Sequence, residues 1–258
     1  MDIVFFYKVV ATIFGAMIGS FLNAVIYRLP RKISFVAPRS KCPHCSKVIT
    51  WYENIPVLSF LFLRGKCSNC KTKISFRYPF VEMLIAVSAY FLFPSTLSGL
   101  TIGVFAFNLM VLALFVVHIF IDLDFKILPD SINLILGILF FSYSVIFQGW
   151  QFLILGGVVG FLIPFLVTYA FYKIKGQIGL GGGDIKLYTA LGLILGPIGV
   201  IHNIFLSCFL GSIIGIVLIL FKKMTKDNPM PFGPSIILVA IFQLFFPGWY
   251  GSLMSFIL

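Results

Sequence analysis

The chain has 258 residues, of which 60% are hydrophobic and only 10% charged, and its mean hydropathy is +1.08. A water-soluble domain carries nearer 45–50% apolar and about 25% charged residues, so a soluble fold of this size is excluded. The formal net charge of +11 would suggest nucleic acid in a soluble protein, but in a membrane protein the placement of Lys and Arg carries the information, and no nucleic-acid partner is expected.

Apolar runs of bilayer-crossing length predict helices at about 3–27, 79–97, 102–121, 131–149, 152–172, 186–200, 203–221 and 232–250. The sixth is short, and Pro247 interrupts the last. The first run lacks a basic n-region and an A-x-A-like cleavage site, so it is read as a retained span and not a signal peptide. The fold expected is an all-α polytopic membrane protein of about eight transmembrane helices, with both termini on one side. It divides into a first helix at 1–28, a small extramembrane domain at 29–77 and a transmembrane core at 78–258. No internal repeat is apparent.

Charge sets the orientation. Residues 28–77 hold eleven of the nineteen Lys and Arg residues and a single acid, Glu53. With that segment cytoplasmic, Lys126, Lys173, Lys175, Lys186, Lys222, Lys223 and Lys226 also fall on the cytoplasmic side, and only Lys8 does not.

The same segment contains Cys42-Pro-His-Cys45 and Cys67-Ser-Asn-Cys70, two C-x2-C pairs with 21 residues between them. Four thiolates from two knuckles close a tetrahedral zinc site, and a small domain with little core needs such a staple. A redox-active or disulfide arrangement is the alternative, and the reducing cytoplasm argues against it. A closed four-cysteine site has no open coordination position, so its role is structural.

Only eight residues are acidic, yet Asp122, Asp124 and Asp130 crowd into IDLDFKILPD (121–130). Another, Asp184, follows a glycine-rich run in GLGGGDIKL (179–187). Both stretches fall at cytoplasmic helix ends. Two carboxylates at one depth, away from bulk water, can share a proton, one acting as acid while the other activates water. Asp122 and Asp124 project about 200° apart on a helix, so at most one of them faces Asp184. The glycines Gly181 and Gly183 permit close backbone approach, or an extended hold on a peptide. The same residues admit plainer roles. Asp130, after Pro129, is placed to N-cap the fourth span; Asp184 is placed to cap the sixth; Asp122 and Asp124 can simply end the third. Acids within membranes also serve proton relays and ion paths.

Taken together, GSFLNAVIYRLP (19–30), the paired C-x2-C motifs, RYPFVEML (77–84), IDLDFKILPD, GLGGGDIKL and PFGP (231–234) resemble, in order, the bacterial type IV prepilin peptidases. These are also called prepilin leader peptidase/N-methyltransferases, and they belong to the wider class of G-x-G-D intramembrane aspartyl proteases. The resemblance covers nearly the whole chain. It implies a bifunctional enzyme of the bacterial inner membrane, with zinc domain and active site at the cytoplasmic face. Such an enzyme cleaves the leader from prepilins and pseudopilins and methylates the new N-terminal amine with S-adenosylmethionine. It assigns the catalytic aspartates to Asp122, with Asp124 as runner-up, and to Asp184. Lys186 is then a modulator of Asp184, a contact for a substrate acid or simply a headgroup-anchoring lysine, and Glu82 a group for the substrate amine, for methyl transfer or for helix-end solvation. No glycine-rich nucleotide-binding fingerprint is visible, and no residue is assigned to S-adenosylmethionine. Two other classes stay open: an ion-coupled transporter, and a secretion scaffold without activity.

Overall fold

The computed structural model describes residues 3–35, 39–177, 179–221 and 230–257. Asp2, Lys222, Lys223, Lys226 and Asp227 lie outside them. Among the described residues the regular structure is helical: α1 (Ile3–Arg28), α2 (Leu58–Phe62), α3 (Arg77–Leu92), α4 (Gly99–Phe125), α5 (Asp130–Phe147), α6 (Trp150–Lys175), α7 (Gly182–Leu220), α8 (Gly233–Phe245) and α9 (Pro247–Ile257). Five of these are long and apolar enough to cross a membrane, or six if α8 and α9, bent by 103° at their junction, form one span. The chain divides into two compact units, 1–117 and 118–258, with the boundary inside α4.

In the first unit α1 lies directly on α3. A Cβ added at Gly15 would stand 2.8 Å from the Ala89 Cβ, and one at Gly19 would stand 2.6 Å from the Glu82 Cα. This is the small-xxx-small device by which membrane helices bring their backbones together without an apolar driving force. Asn23 closes the same interface by donating from Nδ2 to the Tyr78 carbonyl at 3.0 Å.

Between these helices sits the cysteine segment, and its two knuckles are copies of one another. Each pairs across an isolated bridge, Lys41 with Val48 and Lys66 with Lys73. In one, Cys42 N–H donates to Lys47 and Ile49 N–H to Ser40; in the other, Cys67 N–H donates to Thr72 and Ile74 N–H to Gly65. Ser46 and Lys71 take the same left-handed conformation, at φ 57° and 58°. The expectation of no repeat is therefore corrected: SKCPHCSKVI (40–49) and GKCSNCKTKI (65–74) are one motif used twice. Only Lys, the two Cys and the final Ile coincide, which is why the repeat escapes a composition-based reading.

In the second unit, α6 packs on α7 through Gly156 and Gly160, where an added Cβ would overlap the Gly192 and Tyr188 carbonyls. The predicted sixth and seventh spans appear as the single helical element α7, but that element is not straight. Gly196 leaves the helix at φ 69°, ψ −177°, next to Pro197. The Tyr188 hydroxyl reaches the Ser207 hydroxyl at 2.6 Å, although 19 residues along a straight helix span about 28 Å. The chain therefore doubles back at Gly196, and 182–195 and 197–220 run side by side. Only glycine adopts that φ without strain, and the Phe152 ring fills the space a Cβ would take.

Candidate active site

The end of α4 decides which acid faces inward. Asp122 is only 4% exposed, whereas Asp124, two residues on, is on the exposed side. The helix closes with Lys126 in the left-handed conformation at φ 56°, its N–H donating to the Asp122 carbonyl at 2.8 Å. Ile127 to Pro129 then lead into α5.

Asp122 is held from an unexpected direction. Its Oδ2 accepts the N–H of Gly233 at 2.9 Å, 111 residues further along the chain. Gly233 is the first residue of α8, so this N–H is one of the donors a helix start leaves unpaired, and the positive end of the helix dipole favours an anion there. Asp184 has a matching arrangement nearer home. It is the third residue of α7, and its Oδ2 accepts the Gly181 N–H at 3.2 Å. Each carboxylate is thus held through one oxygen by a glycine N–H. Neither Oδ1 has a protein hydrogen bond among the described residues. The two carboxylates lie within electrostatic reach of one another.

Leu128 brings the pieces into register. A Cβ on Gly183 would stand 3.0 Å from the Leu128 Cβ, and one on Gly233 would stand 2.9 Å from the Leu128 Cδ2 and 2.8 Å from the Asp122 Oδ2. Both glycines are needed because the backbone from 128 and the Asp122 carboxylate occupy the space a side chain would take. Gly182 has nothing within 4 Å of its own Cβ direction.

Other expected site residues fall elsewhere. Lys186 does not address Asp184; its Nζ pairs with Asp130 Oδ1 at 2.7 Å, and both side chains are exposed, 56% and 71%. Asp130 does not N-cap α5 as expected: it is the first residue of that helix, the N-cap position is Pro129, and no side-chain capping bond is made there. Glu82 belongs to the first unit. It is buried on α3, and Oε2 accepts the Val57 N–H at 2.7 Å, fixing the turn where Val57 takes φ 61°. Residues not singled out from sequence are Leu128, Gly233, Asn133 and His118. PFGP marked Gly233 only as part of a motif, and nothing local distinguishes Leu128 from any other hydrophobe.

The four cysteines meet as expected. Their sulfurs all lie within 4.8 Å of one another, with Cys42–Cys70 at 3.8 Å and Cys45–Cys67 at 3.9 Å. Tetrahedral zinc with Zn–S near 2.3 Å requires S–S separations of about 3.8 Å. The donor set therefore fits that ion, and all four cysteines are free of disulfides. The knuckles do not act alike on the thiols: Cys45 and Cys70 are lowered, whereas Cys42, beside the thiols of Cys45 and Cys67, is raised. The Thr72 hydroxyl and backbone N–H lower the Cys70 thiol to about 6, and the Lys47 backbone N–H, helped by Asn69, lowers Cys45. Beside them Lys47 bridges Glu53 at 2.8 Å and the Ser68 hydroxyl at 2.6 Å, joining the two knuckles. That bond, with Ser68 and the Thr50 N–H, holds Glu53 down to about 2.

Residues 13–95 match the bacterial peptidase A24 N-terminal domain, and residues 109–216 match the type IV leader peptidase family. The chain belongs to the type IV leader peptidase family. It is 38% identical to a prepilin leader peptidase/N-methyltransferase of Aeromonas hydrophila, across 86% of this chain and 84% of that one. It is 32% identical to a protein of the same description from Legionella pneumophila, over 97% and 94%. A Bacillus subtilis relative of that description is 34% identical over 87% and 88%. No solved structure matches. The leader-peptidase region contains Asp122 and Asp184, and the N-terminal region contains the four cysteines and Glu82.

Proposed function

We propose that this leader peptidase is a membrane aspartic endopeptidase that removes the leader from type IV prepilins or pseudopilins and methylates the N-terminus so released. The observation that carries the first activity is the paired hold on Asp122 and Asp184. Each has one oxygen fixed by a glycine N–H and the other available to a water or a substrate. A water between the carboxylates attacks the scissile carbonyl. The ionised partner takes the water's proton, and the protonated partner supports the oxyanion and then protonates the leaving amine. Gly181 and the open Gly182 offer backbone to an extended peptide, while Gly183 seats the loop on Leu128.

In this reading Asp124, Lys186 and Glu82 take no part in the reacting pair: Asp124 is on the exposed side of α4, Lys186 pairs with Asp130, and Glu82 anchors Val57 within the first unit. Cys42, Cys45, Cys67 and Cys70 hold zinc, which shapes the cysteine domain. S-adenosylmethionine supplies the methyl group for the second activity. We read the reversal at Gly196 as two spans and α8–α9 as one. With α1, α3, α4, α5 and α6 this makes eight, in a bacterial inner membrane with zinc domain and aspartates at the cytoplasmic face.

Intact-mass measurement of a prepilin incubated with the purified full-length chain and S-adenosylmethionine tests this. Wild type and Asp124→Asn should remove the leader and add one methyl. Asp122→Asn and Asp184→Asn should each slow cleavage by at least ~100-fold, since each removes a proton-transfer group. Cleavage by Asp184→Asn at the wild-type rate would remove the aspartyl mechanism and return weight to a transporter or scaffold.

A further inference from the structure

One ionisable side chain of the second unit is completely enclosed and plays no part in the chemistry above. His118 is 0% exposed, and neither ring nitrogen has a hydrogen-bond partner among the described residues. An ionisable residue retained within a membrane helix is costly and points to a use. His118 precedes Asp122 by four residues in α4, so the two share a face. Helical side chains lean towards the N-terminus, which places the Asp122 side chain over the turn that carries His118.

The neighbouring helix supplies a complementary group. Asn133 of α5 is 5% exposed and donates from Nδ2 to the Gly183 carbonyl at 3.3 Å. That bond orients the amide and leaves Oδ1, also buried, as an acceptor without a partner among the described residues. The Asn133 side chain lies beside the imidazole. A neutral imidazole has one N–H to donate, and Oδ1 is that side chain's open acceptor.

We propose that His118 and Asn133 form a buried brace. The imidazole N–H donates to Asn133 Oδ1, and the Asn133 amide donates to the Gly183 carbonyl. The brace ties the helix that carries Asp122 to the first turn of α7, which carries Asp184, through residues that touch neither substrate nor reacting atoms. His118 and Asn133 are therefore positioning residues, and their role rests on the reading of Asp122 and Asp184 as the catalytic pair. Misplacing a catalytic group by about 1 Å costs on the order of 100-fold in rate, so the brace acts on kcat and leaves KM alone.

The test compares His118→Leu, His118→Gln, Asn133→Leu and the double Leu variant in the full-length enzyme, reconstituted in lipid nanodiscs. Leu fills the volume and removes the hydrogen bond; Gln keeps a donor. Prepilin cleavage and hydrogen exchange of residues 179–187 are read together. Both single Leu variants should lose ~10- to 100-fold in kcat with KM within about twofold, and 179–187 should exchange faster. The double variant should be no worse than either single, because the partners act as one unit. Gln should recover most of the rate. Wild-type kcat and exchange in His118→Leu, or additive losses in the double, would leave His118 as packing alone and overturn the brace. Asp122→Asn and Asp184→Asn run alongside separate the two claims. If they still cleave while His118→Leu loosens 179–187, the catalytic reading fails and the brace stands.

Discussion

The cysteine domain and the aspartate site solve the problem of holding a few polar groups still in opposite ways. Each knuckle closes within ten residues, its backbone bonds running from Ser40 to Ile49 or from Gly65 to Ile74. The bonds that shape each knuckle lie within it, and the four sulfurs bring the two knuckles together. The aspartate site has almost no local element. Asp122 is fixed by a glycine 111 residues away, and Leu128 packs on glycines of two further segments. One region gathers its polar groups around four sulfurs, and the other spreads its hold over helix packing. Different perturbations should therefore break them.

The largest effect expected is on the cysteine side. Cys45→Ser, or treatment with a strong chelator, should remove one zinc per chain. Structural zinc contributes on the order of 10 kcal/mol to domains of this kind, so residues 40–75 should lose their protection from hydrogen exchange. Asp122 and Asp184 both belong to the second compact unit, and leader cleavage should fall less than it does in Asp184→Asn. Equal loss of cleavage in the two would show that the regions do not fail independently.

The aspartate side should instead respond to single methyl groups. Gly183→Ala places a Cβ 3.0 Å from Leu128, and Gly233→Ala places one 2.8 Å from the Asp122 carboxylate. Overpacking of this sort costs about 1–3 kcal/mol and moves backbone. A shift of the catalytic loop should then lower kcat by ~10- to 100-fold. Gly182→Ala meets nothing within 4 Å and should cleave within about twofold of wild type. Steady-state rates on a prepilin peptide decide the matter. Equal losses at all three glycines would mean that the run needs flexibility along its length, not close approach at two points.

These differences also govern what could be read before the fold was known. The four-cysteine cluster is legible because C-x2-C states its own geometry. The helical period separated Asp122 from Asp124 as alternatives, since two residues on a helix point to opposite sides. It did not say which faced inward, because that depends on α5, α7 and α8. Lys186 was expected near Asp184 from a spacing of two, yet it reaches Asp130 across 56 residues. Proximity in sequence misled there because an exposed lysine at a helix start reaches whichever acid the neighbouring helix presents. Leu128, Asn133 and Gly233 were invisible for the same reason: their roles exist only once separate helices meet. The turn at Gly196 was only half visible: two spans were expected, at 186–200 and 203–221, but Gly196-Pro197 fell inside the first of them, and the hydroxyl pair that shows the reversal was not visible at all.

The smallest effect expected is the sharpest on the cysteine side, because it isolates one contact between the knuckles. Glu53 is held at about 2 in the folded domain, first by its bond from Lys47, then by Ser68 and the Thr50 N–H. A carboxylate lowered in this way stabilises the fold fully above its ordinary value of about 4.5, and the contribution is lost as pH falls towards about 2. Across pH 5.5 to 8 it is constant. The thiols behave differently, because protons compete with a metal for thiolate sulfur and metal retention itself falls as pH drops. Zinc retention by wild type and by Glu53→Gln, titrated against a competing chelator, should therefore fall along parallel curves as pH drops from about 8 to 5.5. The variant should sit lower by a constant factor of about 3 to 10, as expected when one charge-assisted hydrogen bond becomes a neutral one. Curves that converge inside that range would mean that Glu53 titrates there and is not held by Lys47. Identical curves would mean that the two knuckles are joined by the metal alone.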